Sequence, residues 1–225
     1  MHQLILQNTS SQDNTRATGI FSHDLISADS EKLEREANKM TGPFNTTQDF
    51  NLKKMGSRML RVARFDGETF RELRDDPSAT AQSVLVVAII GLCYGSGFGF
   101  FLAGISLLDV LKITMIGLFS ALVIAFVWSG TTFLIVTRLF RRTIGYWGLS
   151  RPFFFSWAPG LLFILMSGPI TILFEIIRAV GAAWIGIASV FAVKHAAGFS
   201  TQQSMLTFII CVLLLVLIVS ILPFS

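Results

Sequence analysis

The sequence predicts an all-α polytopic membrane protein. It comprises a bundle of five transmembrane helices behind a polar, partly disordered N-terminal tail and a short amphipathic helical segment. Three observations predict it. The 225 residues are 52% apolar and only 14% charged, with a mean hydropathy of +0.65, which is too apolar for an ordinary soluble domain of this length. The charges crowd ahead of Ala81, and beyond it the chain is nearly continuous hydrocarbon. Long windows there hold no charge at all: Asp76 to Asp109, Lys112 to Arg138 and Arg151 to Glu175. A helix needs about 20 residues to cross about 30 Å of hydrocarbon.

Residues 1–50 are rich in Ser, Thr, Asn, Gln and Asp without a sustained apolar period. They are expected to be a disordered or weakly helical cytoplasmic tail, with a short helix in SADSEKLEREANKM. The N-terminus MHQLILQNTS has no basic segment followed by a long apolar core, so it does not read as a secretory signal. Residues 51–80 form a basic segment. NLKKMGSRMLRVAR carries Lys53, Lys54, Arg58, Arg61 and Arg64 and no acid. Leu52, Met55, Met59 and Val62 recur at helical spacing, which puts them on one face. Such a helix lies on an anionic leaflet or packs on the protein's own spans. Pro77 stops the following helix near Asp76.

The membrane domain, 81–225, divides into spans near 82–103, 113–136, 152–167, 172–193 and 204–222. The third carries Pro159-Gly160 and is expected to kink. Gly168-Pro169 turns the chain into the fourth. Ser200 and Gln203 have the spacing of a capping box that starts the fifth. In this five-span arrangement the basic segment before span one, the loop RLFRRTIGYWGLSR with Arg138, Arg141, Arg142 and Arg151, and Lys194-His195 share one side. The excess of basic residues places that side in the cytoplasm. The N-terminus is then cytoplasmic and the C-terminus lies opposite, in an integral multi-pass protein of the cell membrane.

Small residues recur every fourth position. Gly91, Gly95 and Gly99 do so in span one, and Gly117, Ala121, Ala125 and Ser129 in span two. Such a stripe lets another helix backbone approach closely. It serves either the bundle itself or self-association with a partner's span. The basic residues Lys53, Lys54, Arg58, Arg61, Arg138, Arg141, Arg142 and Arg151 are candidate contacts for membrane lipids or an acidic partner, or topology signals alone.

Glu175 and Arg178 begin span four. With its centre near Ala183, they lie ~12 Å and ~7 Å from the midplane, within a hydrocarbon half-thickness of ~15 Å. Three residues apart, they share a helix face. They form either an ion pair at the rim or part of a polar path through a small transporter or channel component.

Catalytic signatures are missing from the sequence: it has no zinc-binding His–Glu helix, phosphate loop or nucleophile elbow. His2, His23 and His195 are dispersed, and GSGFG lies inside a span rather than after a strand. No nucleic-acid motif occurs. Cys93 and Cys211 both lie in apolar runs and read as buried free thiols. The expectation is a non-enzymatic protein without cofactor or metal.

The order of RELRDDPSATAQSVLVVAI, WAPGLLF, SGPI and KHAAGFSTQQSML resembles the prokaryotic branch of the Yip domain membrane proteins, over roughly residues 57–225. The resemblance implies a five-span bundle with a cytoplasmic N-terminus. In eukaryotic relatives it implies trafficking roles and contact with prenylated small GTPases. This chain lacks their Asp-Leu-Tyr-Gly-Pro type stretch, and the resemblance carries no catalytic residues to it. The function expected is a partner- or lipid-binding scaffold, or an accessory subunit of a membrane assembly. It would associate with other membrane subunits or with itself.

Overall fold

Seven helices in the order the sequence dictates make up the part of the chain that the computed structural model describes, residues 51–102, 106–168 and 170–221. The expected tail of residues 1–50 and its short helix lie outside the described residues, as do residues 103–105, Pro169 and residues 222–225. Helix α1 is Leu52–Ala63 and α2 is Gly67–Asp75. Next come α3, Ala79–Phe101, and α4, Leu107–Leu134, which a π turn extends over Ile135–Leu139. Helix α5, Tyr146–Phe155, passes into a 3-10 stretch at Ala158–Ser167. The last two are α6, Thr171–Ala197, and α7, Thr201–Ile221. No strand occurs among the described residues. Among the described residues, four segments are long and apolar enough to cross a membrane: Ala79–Phe101, Leu107–Leu139, Tyr146–Ser167 and Thr171–Ala197. The apolar helix α7 follows them. The protein is an all-α, polytopic membrane protein.

Local signals account for the boundaries. Asn51 caps α1 by accepting from the Lys54 N–H, and Asp66 caps α2 by accepting from the Glu68 N–H. Helix α2 stops one residue short of Asp76, ahead of Pro77. Ser200 and Gln203 close the capping box in both directions, at 3.3 and 3.2 Å. At Ser156-Trp157 the α-helix ends in a turn, and α5 gives way to the 3-10 stretch containing Pro159. Proline has no N–H to continue an α-helical ladder.

Two helices begin earlier than the charge-free windows suggest. Helix α4 starts at Leu107, so Asp109 and Lys112 belong to its first turns rather than to a loop. Ser106 caps it, and Lys112 pairs with Asp109 at 3.1 Å. Helix α5 starts at Tyr146 and carries Arg151 and Pro152 within it. A window bounded by charges stops at the charge, whereas a helix end accommodates charges that its dipole and i,i+3 pairs favour.

The glycine stripe sets how closely α3 and α4 approach. A Cβ on Gly95 would sit 2.8 Å from the Thr114 Cα, and one on Gly117 would sit 2.6 Å from the Gly95 Cα. Gly91 faces Ala121 in the same way, and Gly99 faces Val110. The stripe is thus filled by the chain's own helices. In hydrocarbon this close approach stabilises through dispersion, because lipid removes most of the hydrophobic drive. The α5–3-10 segment is the central post, 72% buried over its most apolar stretch, against 17% for α4.

Candidate functional site

Helix α1 presents Met55, Met59 and Val62 to the bundle, and all three are buried in the cluster that includes Phe70, Val86, Phe155 and Met166. Leu52, expected on that face, is exposed at the helix's first turn. Of the two placements open to α1, the structure shows packing on the protein's own spans. The Trp184 indole N–H donates to the Ala63 carbonyl at 3.0 Å, which satisfies one of the carbonyls orphaned at the end of α1.

That packing carries Arg58 inward. Its side chain is 2% exposed. The guanidinium donates to Glu72 Oε1 at 2.6 and 3.1 Å, to Gln82 Oε1 at 3.0 Å and to the Asp76 carboxylate. Lys54 lies 3.6 Å from Asp76, and Arg61 pairs with Asp66 at 2.7 Å and with Glu72 at 3.5 Å. Burial pushes the Asp76 carboxyl up. Hydrogen bonds from the Ser78 hydroxyl, from Arg58 and from the Ser78 N–H outweigh it and hold the pKa at about 2. Burial likewise lowers the Arg58 pKa, and its two carboxylate partners more than restore it, so the net shift is upward. Arg58 is a clamp between α1, α2 and the start of α3 and offers nothing to lipid. Arg151 also turns inward, donating to Thr80 Oγ1 at 2.8 Å and to the Arg74 carbonyl at 3.1 Å. Glu72, Asp76 and Gln82 were not singled out in the sequence. Their signal is the four-residue spacing of Glu72 near the end of α2 and Asp76 just past it, opposite an acid-free basic helix.

The loop after α4 differs. Arg138, Arg141 and Arg142 are exposed, and none pairs with a carboxylate among the described residues. Arg141 holds a left-handed backbone, φ 51°, where the chain turns from the π segment toward α5. The Arg142 N–H bonds back to the Val136 carbonyl at 3.1 Å. Lys53 is exposed as well. This loop, the end of α2 and the end of α6 line an open polar cavity of about 460 Å³.

Toward the other end of α6, Arg178 pairs with Glu175 at 2.5 Å, and both side chains are about half exposed. The guanidinium sits 5.9 Å above the Phe174 ring. No polar group from another helix reaches either residue among the described residues. An apolar cleft of about 560 Å³ lies between α3, α4, the 3-10 stretch, α6 and α7, with Tyr94, Gly117, Trp128, Phe163 and Phe208 in its walls. Sequence reasoning missed it, because a cleft depends on how five helices lean together. Ser129 is buried within hydrogen-bonding distance of Tyr146 (3.0 Å), and Ala125 is fully buried. Cys93 and Cys211 are free, and no metal-binding cluster of His, Cys, Asp or Glu occurs among the described residues.

Compared with known protein families, residues 61–222 match the Yip1 domain. No curated protein and no solved structure matches the chain.

Proposed function

Because the chain belongs to the Yip1 domain family, a membrane-trafficking family not known as enzymatic, we propose that it is a non-catalytic scaffold of a membrane assembly. Its basic end docks an acidic surface of another membrane subunit. The observation that carries this is the contrast in pairing at that end. Arg58 and Arg61 pair with the protein's own acids, while Arg138, Arg141 and Arg142 are exposed and pair with no carboxylate among the described residues. Unpaired arginines at an interface suit carboxylate partners, because the planar fork binds them bidentately. The same excess of arginine puts this end in the cytoplasm, with the N-terminus, and the C-terminus of α7 on the opposite side.

The test is native mass spectrometry of the full chain extracted from its own membrane in mild detergent. The wild type should carry a protein subunit, and a variant with Arg138, Arg141 and Arg142 all changed to Gln should lose it by tenfold or more. A chain that emerges alone, or a triple variant that keeps the subunit, overturns the reading. Reporter fusions to both termini test the orientation, and equal signals from the two ends would refute it.

A further inference from the structure

We propose that the polar cavity at the basic end holds a phosphate group, supplied by the headgroup of an anionic membrane lipid. Three segments that the sequence keeps apart build its walls: Arg74 and Asp75 at the end of α2, Arg142 to Gly148 leading into α5, and Ala196 to Gly198 at the end of α6. Arg74 is bound to Asp75 through two hydrogen bonds of 2.8 Å, so that pair is close to neutral. Arg142 is the uncompensated charge. No carboxylate pairs with it among the described residues, and its guanidinium carbon sits 5.6 Å above the Phe199 ring. The ring holds the cation in place without cancelling its charge. A phosphate oxygen pair matches the arginine fork.

The rest of the wall admits such a group. Gly145, the residue before α5, has no side chain to cap the first-turn N–H groups, and no side chain among the described residues caps them. A Cβ on Gly145 would meet nothing within 4 Å, so the backbone there is open to close approach. These donors add to Arg142 and do not define the site alone. The last carbonyls of α6 are the opposing feature. Lys194 in the same turn and the Gly198 N–H, which bonds to the Lys194 carbonyl, offset them. Two walls lie where a membrane-long helix begins or ends, at Tyr146 and Ala197, and Arg74–Asp75 lie just ahead of the one that begins at Ala79; lipid phosphates sit at the level where spans end. The cavity shares Arg142 with the proposed docking surface, whereas Arg138 and Arg141 lie outside its lining, so Arg138→Gln separates lipid binding from docking.

The experiment uses the full chain in mild detergent with added phosphatidylglycerol and counts retained lipid by native mass spectrometry. Arg142→Gln should weaken retention about tenfold, the scale of a lost charge-assisted hydrogen bond. Arg142→Lys, which keeps the charge but not the fork, should fall between. Arg138→Gln, outside the cavity, should retain lipid like the wild type, and thermal unfolding should be the same for all four proteins. Inorganic phosphate that displaces the lipid would show that the cavity takes the phosphate group itself. Failure to displace it would tie the site to the whole headgroup. Equal retention by Arg142→Gln and wild type, or equal losses in Arg138→Gln and Arg142→Gln, overturns the proposal. Subunit retention in the same spectra reports on docking separately.

Discussion

Two basic regions face the same end of this protein, and they have opposite fates. Helix α1 is an acid-free amphipathic segment, yet its central arginine is buried among Glu72, Asp76 and Gln82. The loop after α4 is equally basic, and Arg138, Arg141 and Arg142 reach no acid among the described residues. The difference teaches that a count of positive charges does not report their availability. Helix α1 has an acidic helix, α2, folded against it within a few residues. The loop runs between two apolar helices with no acid near in sequence. Charge on α1 therefore assembles the fold, and charge on the loop is left for other molecules.

The sharpest way to break the contrast is Arg58→Ala. It should destabilise the protein by about 3 kcal/mol, the scale of removing one partner from a buried ion pair, and should expose α1 to faster cleavage by trypsin. Detergent-solubilised unfolding curves and limited digestion measure both. An unchanged curve would place Arg58 among the dispensable charges.

A smaller effect comes from pH. The folded pKa of Asp76, about 2, lies below its ordinary value of 3.8. Its contribution is therefore fully present above pH ~4 and disappears as pH falls through 2. The difference corresponds to about 2 kcal/mol. Unfolding curves between pH 5 and 2 should show this loss, and Asp76→Asn should already be less stable at pH 5 and respond less to acid. If the two proteins lose stability in parallel, the clamp does not depend on this carboxylate.

Arg178→Gln tests a pair that resembles neither region. Glu175 and Arg178 are half exposed and each is the other's charged partner, with long side chains that reach the water at the rim, so the change should cost no more than about 1 kcal/mol in the same unfolding assay. The smallest shift belongs to the loop. The combined Arg138, Arg141 and Arg142 to Gln variant should unfold within about 0.5 kcal/mol of wild type, even as it loses its subunit. A large destabilisation there would mean the loop is a second clamp.

Much of the architecture is legible in the residues themselves. Charge-free windows locate the helices, Pro77 and the Ser200–Gln203 box fix two boundaries, and the fourfold spacing of Gly91, Gly95 and Gly117 marks a line of close approach. Helix ends were less legible, since Asp109 and Arg151 belong to helices whose windows seemed to stop short of them. The candidate site was legible only as a supply of arginines. Arg58, Arg142 and Arg151 are one residue type in similarly basic stretches, and only their neighbours in space set them apart.

The sequence by itself determined that this chain folds as apolar helices in a membrane, because hydrocarbon accepts long uncharged segments only with their backbone hydrogen bonds closed internally. It also determined which faces are smooth enough to touch. Tertiary structure decided which charges are consumed, because pairing depends on distances between side chains as much as 71 residues apart, as between Arg151 and Thr80. It alone decided that the glycine stripe joins α3 to α4 rather than to a second copy. It alone brought the ends of α2 and α6 against the arginine loop to line an open polar cavity.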